Sequence, residues 1–177
     1  DLGSGYIVDD SKEIDPSNSA DFFGDGSNIA TYLCEDNTKD ENLNYKLSYT
    51  NLNYGVGKFG TSCFRVSNLS SLYNTKLPVS DNVTISFWMN KTSFNVPSEN
   101  YISLGKDIAG TSKYISFFRS YQNNVRFQVG VSDGVTVLYQ NTSFTIPLDS
   151  AWHHYVIVYN KTINTISLYM DNVSETI

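Results

Sequence analysis

Both histidines of the chain, His153 and His154, stand side by side behind Trp152 in the run SAWHHYVIVYNKTINTISLYMDN, residues 150–172. Imidazole is the side chain best suited to move a proton or ligate a metal near neutral pH, so this pair is the first place to look for chemistry. The residues around it follow the two-residue period of a β-strand. Trp152, His154, Val156 and Val158 share one face, and His153, Tyr155, Ile157 and Tyr159 share the other. Adjacent strand residues point to opposite faces, so the two imidazoles cannot close on one ion. They read as packing or hydrogen-bonding groups at a strand entrance. Both faces are largely apolar, which predicts a strand in the middle of a sheet covered on each side.

The remaining residue patterns do not supply a reactive site. Hydrolysis of a glycosidic bond needs two carboxylates flanking it. On a sheet these would come from alternate positions of one strand, in an E-x-D-x-x-E-like run, and the sequence has none; CEDNTKDE (34–41) runs out of a strand-like stretch into a turn with the wrong spacing. There is no G-x-S-x-G elbow for a serine nucleophile. The glycine-rich runs FGDGSN (23–28) and GVGKFG (55–60) do not lead into helices and read as turns rather than phosphate cradles. The expectation is a protein that is not an enzyme and requires no cofactor.

Two binding chemistries stay open. Oxygen-rich turns place Asp25, Asp133 and Asp171 where carboxylates and carbonyls at the rim of a sandwich could hold calcium, though each also reads as a solvated turn aspartate. In NVTISFWMN (82–90), Trp88 lies among hydroxyls and amides, the usual chemistry for stacking on a sugar ring. Tyr121, Asn123 and Asn124 complete that candidate ligand-binding set; packing is the alternative role for the tryptophan.

Composition narrows the partners. Twelve basic against eighteen acidic residues give a net charge of −6, and the arginines Arg65, Arg119 and Arg126 form no dense cationic stripe, so nucleic acid is not an expected partner. Apolar runs such as YVIVY (155–159) fall far short of the roughly 20 residues of a membrane helix, so no membrane insertion is expected. The opening DLGSGYIVDD lacks the basic and apolar regions of a signal peptide. Cys34 and Cys63, in the strand-like runs TYLCE and SCFRV, allow either one disulfide or two thiols.

The elements that must position these residues are strands. Residues 1–28 are rich in Asp, Ser and Gly and read as an extended arm or linker, with one domain over 29–177. In that domain short apolar runs alternate with Asn, Gly, Asp and Ser clusters, the texture of an all-β sandwich. On 82–90, Val83, Ile85, Phe87 and Met89 share one face, and Thr84, Ser86 and Trp88 the other. KYISFFRS (113–120), NVRFQVGV (124–131) and GVTVLYQ (134–140) read as a meander with turns at QNN (122–124) and SDG (132–134). TSFTI (142–146), WHHYVIVYN (152–160) and TISLYMD (165–171) follow as separate strands, about nine to eleven in all.

Four ordered stretches, GVGKFGTSCFRV (55–66), VSDNVTISFWM (79–89), DSAWHHYVIVYN (149–160) and ISLYMDN (166–172), resemble laminin G-like domains of the concanavalin A-like jelly-roll superfamily. The run from Phe23 through FGDGS is similar to such domains in marine bacteria and their phages. The resemblance implies an all-β, two-sheet antiparallel jelly roll with six or seven strands per sheet, one sheet concave. It implies that Trp152 and the histidine after it are fold residues, and that some members bind calcium at the rim. Asn172 stands where the family has glycine, which keeps a positive-φ turn feasible. The family also continues past residue 177 into a final strand, so an open edge is expected, to be filled by another chain or by the arm around GYIVDD.

The expected function is a non-catalytic recognition or adhesion module that binds cell-surface glycan or another host-surface receptor. It would be extracellular or on a virion surface. The alternative is a purely structural capsid or tail component held by contacts with neighbouring subunits.

Overall fold

The computed structural model describes residues 29–34, 36–39, 41, 45–59, 62–65, 71–73, 82–93, 100–105, 113–119, 126–133, 137–160, 162–163 and 165–176. Among them there are twelve strands and no helix. Three-residue strands β1 (Ser48–Thr50), β2 (Asn53–Gly55), β3 (Cys63–Arg65) and β4 (Ser71–Tyr73) form the pairs β1–β4 and β2–β3. The longer strands β5 (Asn82–Asn90), β10 (Trp152–Asn160), β11 (Thr165–Met170) and β12 (Val173–Thr176) form one antiparallel sheet in the order β12-β11-β10-β5. A second sheet runs β6-β7-β8-β9, from β6 (Asn100–Gly105), β7 (Lys113–Arg119), β8 (Arg126–Asp133) and β9 (Val137–Thr145). The described residues thus give four strands in each main sheet where the resemblance implied six or seven.

Alternation builds the core. Along 141–146 the side chains at Thr142, Phe144 and Ile146 are buried while their neighbours at 141, 143 and 145 are exposed. They meet Phe127 and Val129 of β8, Tyr155 and Ile157 of β10, and Leu168 of β11 in one cluster. Val83, Ile85, Phe87 and Met89 of β5 pack against it, the face expected of them. The two sheets lock through aromatic rings. Phe127 from one sheet meets Tyr155 from the other edge-on at 5.1 Å, and Phe87 stacks on Tyr155 at 5.3 Å. Each fully buried large apolar side chain contributes about 1.5–3 kcal/mol, so this cluster is the main source of stability.

Several expected boundaries move. GVTVLYQ and TSFTI are parts of one strand, β9, whose register against β8 shifts between Arg126 and Gln128. At the shift the buried Thr142 hydroxyl donates to the Phe127 carbonyl at 3.0 Å, satisfying a polar group inside the core. β8 runs on through Asp133, so Ser132 and Asp133, expected in a turn, belong to the strand; Gly134 lies outside the described residues. The TYLCE run is not a strand. Cys34 has φ 67, and the Ser62 hydroxyl both donates to the Cys34 carbonyl (2.9 Å) and accepts from the Asp36 amide (2.7 Å), giving this backbone side-chain partners in place of a ladder. Cys63 does lie in β3. Cys34 and Cys63 are not joined in this structure; their thiols donate to the carbonyls of Tyr32 and Val56 respectively.

The hairpin from β11 to β12 has a two-residue loop, Asp171 (φ 47) and Asn172 (φ 70), closed by the Met170–Val173 pair. Two consecutive positive-φ residues make this the mirror-type turn whose twist matches paired strands, and Asn accepts that conformation where the family has Gly. From β12, the Glu175 carboxylate reaches the other sheet and accepts both the Ser143 amide and its hydroxyl, each at 2.7 Å. It ties β9 to β12 across the sandwich. Glu175→Ala is expected to cost about 1 kcal/mol, since two charge-assisted bonds are lost at a largely solvated site. A urea melt checks this, and an unchanged midpoint would show the bridge to be without energetic weight.

Candidate functional site

The histidines separate as the period requires. His153 sits at the end of the core face of β10, and His154 lies on the outer face against β5, opposite Trp88.

His153 is held between two carboxylates. Its Nδ1 donates to Asp171 at 2.5 Å, and its Nε2 lies 3.1 and 3.2 Å from the two Asp149 oxygens. The other Asp171 oxygen accepts the His154 amide at 2.9 Å, and Asp149 accepts the Ala151 amide at 2.9 Å. The hydrogen bond to Asp171, against the effect of burial and with the help of Asp149, holds the imidazole above its ordinary value near 6.5. Burial works to raise the Asp171 carboxyl, but the bonds from His153 and the His154 amide outweigh it and leave it lowered. Asp149 is lowered by the Ala151 amide and then by His153. With both ring nitrogens donating, this imidazolium has no lone pair to offer a proton or a metal. It is a clamp that joins β10, the loop before it and the β11–β12 turn. That loop turns at Ser150 (φ 66), whose carbonyl accepts from Asn90 Nδ2 at 2.6 Å.

His154 belongs to a different cluster. Its ring stacks on Trp88 (4.9 Å between centroids, 27° between planes), and its Nε2 is 2.8 Å from the Ser86 hydroxyl. Burial pushes it below its ordinary value, with the Asp171 charge opposing, so at neutral pH the ring is uncharged. The outer face of β10 is only partly buried, not fully covered as the sequence implied; the fully buried positions, Tyr155 and Ile157, are on the core face.

Trp88 itself is 39% exposed. The turn after β2 delivers two further groups to it. Phe59 meets it edge-on at 5.4 Å, and the Lys58 ammonium lies 5.0 Å from its centroid and 5.3 Å from that of Phe59. This turn is tight because of Gly57: a Cβ there would fall 2.3 Å from the Ser62 carbonyl oxygen and 2.7 Å from that of Phe59. Beyond Trp88 the same outer face carries Thr84 and Ser86 on β5, Ser167 and Tyr169 on β11, and Ser174 and Thr176 on β12, as the strand registers place them. An exposed aromatic at one end of a hydroxyl-rich sheet face offers apolar area for the C–H face of a ring and hydrogen-bonding groups for its rim.

Of the residues singled out from the sequence, Trp88 lies at this cluster, while Tyr121, Asn123, Asn124 and Asp25 fall outside the described residues. Asp133 ends β8, paired with Lys113 of β7. Asp171 lies in the clamp, with both carboxylate oxygens accepting hydrogen bonds. Among the described residues no group of three or more His, Cys, Asp or Glu is arranged to hold a metal ion. Lys58, Phe59 and Asp149 lie in the stretches that carry the family resemblance, GVGKFGTSCFRV and DSAWHHYVIVYN, but nothing in the sequence singles them out as site residues. The only trace of Asp149 was its place four residues before a histidine, in a loop.

Comparison with known proteins bears on the family. The chain matches no curated protein and no solved structure. Residues 65–176 match a laminin G family model described as the concanavalin A-like lectin/glucanases superfamily. That span takes in β5 through β12 and the whole of both main sheets. Its antiparallel sheets, with no helix among the described residues, agree with the jelly-roll sandwich, and the chain belongs to this laminin G-type, lectin-like family of the superfamily.

Proposed function

We propose that the protein is a non-catalytic recognition module whose outer β5–β10 face binds glycan, displayed at a virion or bacterial surface where it meets the sugars of a host. The observation that carries this reading is the exposed Trp88 ring, framed by Phe59 and bordered by hydroxyl side chains. A tryptophan needed only for packing would gain by full burial; this one lies on the face opposite the core. The imidazole chemistry favours binding over turnover, because His153 is occupied at both nitrogens and His154 is paired with Ser86.

A glycan array probed with the protein and with Trp88→Ala tests the reading. Reproducible hits are expected for the wild type, weakened about tenfold to a hundredfold by the substitution, as the loss of an aromatic anchor costs at a binding centre. The variant should keep its melting temperature within a few degrees. Silence of the wild type across the array would sink glycan binding and leave the purely structural role. Running the array with and without calcium tests the rim calcium expected from Asp25, Asp133 and Asp171.

A further inference from the structure

We infer that Lys58 makes this site selective for acidic sugars, carrying a carboxylate or a sulfate, and that the Gly57 turn exists to hold it there; the inference rests on the glycan reading above. Lys58 is exposed, and its ammonium lies over the Trp88 and Phe59 rings. Among the described residues it forms no ion pair or hydrogen bond; its contacts are the two ring faces. Ring faces attract the charge and leave its three N–H donors to solvent. The other polar groups beside Trp88 are already engaged: Ser86 with His154, and Asn90 with the Ser150 carbonyl. The neighbouring carboxylate, Asp171, accepts from His153 and from the His154 amide.

A ligand stacked against this aromatic pair therefore finds one strong donor with charge to spare. On a chain of net charge −6, such a cation at an aromatic site discriminates in favour of an anion that the rest of the surface repels. A neutral sugar would gain only the stacking. Gly57 fixes the reach. Since any Cβ there collides with the Ser62 and Phe59 backbones, the turn is held tight and both Lys58 and Phe59 are directed at the β5 face.

The test is affinity, read by tryptophan fluorescence or calorimetry, for tetragalacturonic acid, its methyl ester, a κ-carrageenan tetrasaccharide and cellotetraose. The acidic members are expected to bind at least about tenfold more tightly than the neutral ones, with the advantage shrinking as salt is raised. Lys58→Gln should erase that advantage, bringing the acidic members to the affinity of the neutral ones, whereas Lys58→Arg should keep most of it. A preference for carrageenan over galacturonate, or the reverse, identifies the anion. If neutral and acidic sugars bind alike through Trp88, or if Lys58→Gln changes nothing, the inference falls while the glycan reading stands. If no member binds the wild type and the array is also silent, both fall together.

Discussion

Phe127→Ala is expected to lower the free energy of unfolding by about 3–5 kcal/mol, the range for deleting a fully buried aromatic ring. Phe127 has no exposed surface, and its ring is one of those that join the two sheets, edge-on to Tyr155. Domains of this size have about 5–15 kcal/mol in total, so the variant should sit near the limit of folding at room temperature. The reading is the midpoint of a urea transition followed by near-ultraviolet circular dichroism, at unchanged slope. Trp88→Ala serves as the contrast and should cost less, about 1–2 kcal/mol, because its partly exposed ring is on the other side of its sheet and loses only its contacts with His154, Phe59 and Lys58. A loss under about 1 kcal/mol for Phe127→Ala would mean that the sheets are not packed through this contact.

The second large effect is on the pH dependence of stability, and the two histidines act in opposite directions. His153 has a folded value raised above 6.5, so its contribution is fully present below pH 6.5 and is lost as pH rises through the folded value. Asp149 and Asp171 are lowered below 3.8, so their part is present above pH 3.8 and is lost as pH falls through the depressed values. The clamp is therefore complete between about pH 4 and 6.5. His154, lowered below 6.5, destabilises the fold as pH falls under 6.5, because the unfolded chain takes up the proton first. His153→Ala is expected to cost about 1–2 kcal/mol at pH 6, with the Asp171 bond supplying most of it because the solvated Asp149 side is screened. The cost should shrink toward pH 9. Urea melts of wild type and variant across that range decide the matter, and a penalty that grows with pH would contradict the clamp.

The parts of this fold that could be read from residues alone are those where a period runs long enough to declare itself. The nine residues of β5 and of β10 alternate without a break, and both strands have the limits the sequence implied. β1, β2 and β4, at three residues each, are too short to carry a period and were not anticipated. β9 reads in the sequence as two runs, GVTVLYQ and TSFTI, because the polar pair Asn141 and Thr142 falls at their junction, with Thr142 opening the second. In the folded chain Asn141 points outward and accepts from Gln128 at 2.9 Å, while Thr142 turns inward and finds the Phe127 carbonyl. A polar residue satisfied inside a core looks the same in sequence as the end of a strand.

The site was legible only by halves. Trp88 could be placed on the outward face by alternation, and the separation of the histidines followed from the same rule. Their partners could not be placed, because Lys58 and Phe59 reach Trp88 across about thirty residues of chain, and Asp171 joins His153 by strand register. Register is a property of paired strands, and a single run of residues does not hold it.

The strict alternation along β5 separates two duties at the scale of single residues. Substitutions at 84, 86 and 88 alter the outer surface, and those at 83, 85 and 87 touch what holds the fold together. A lineage can thus remodel the chemistry of its outer surface by changing every second codon of this stretch while leaving its architecture untouched.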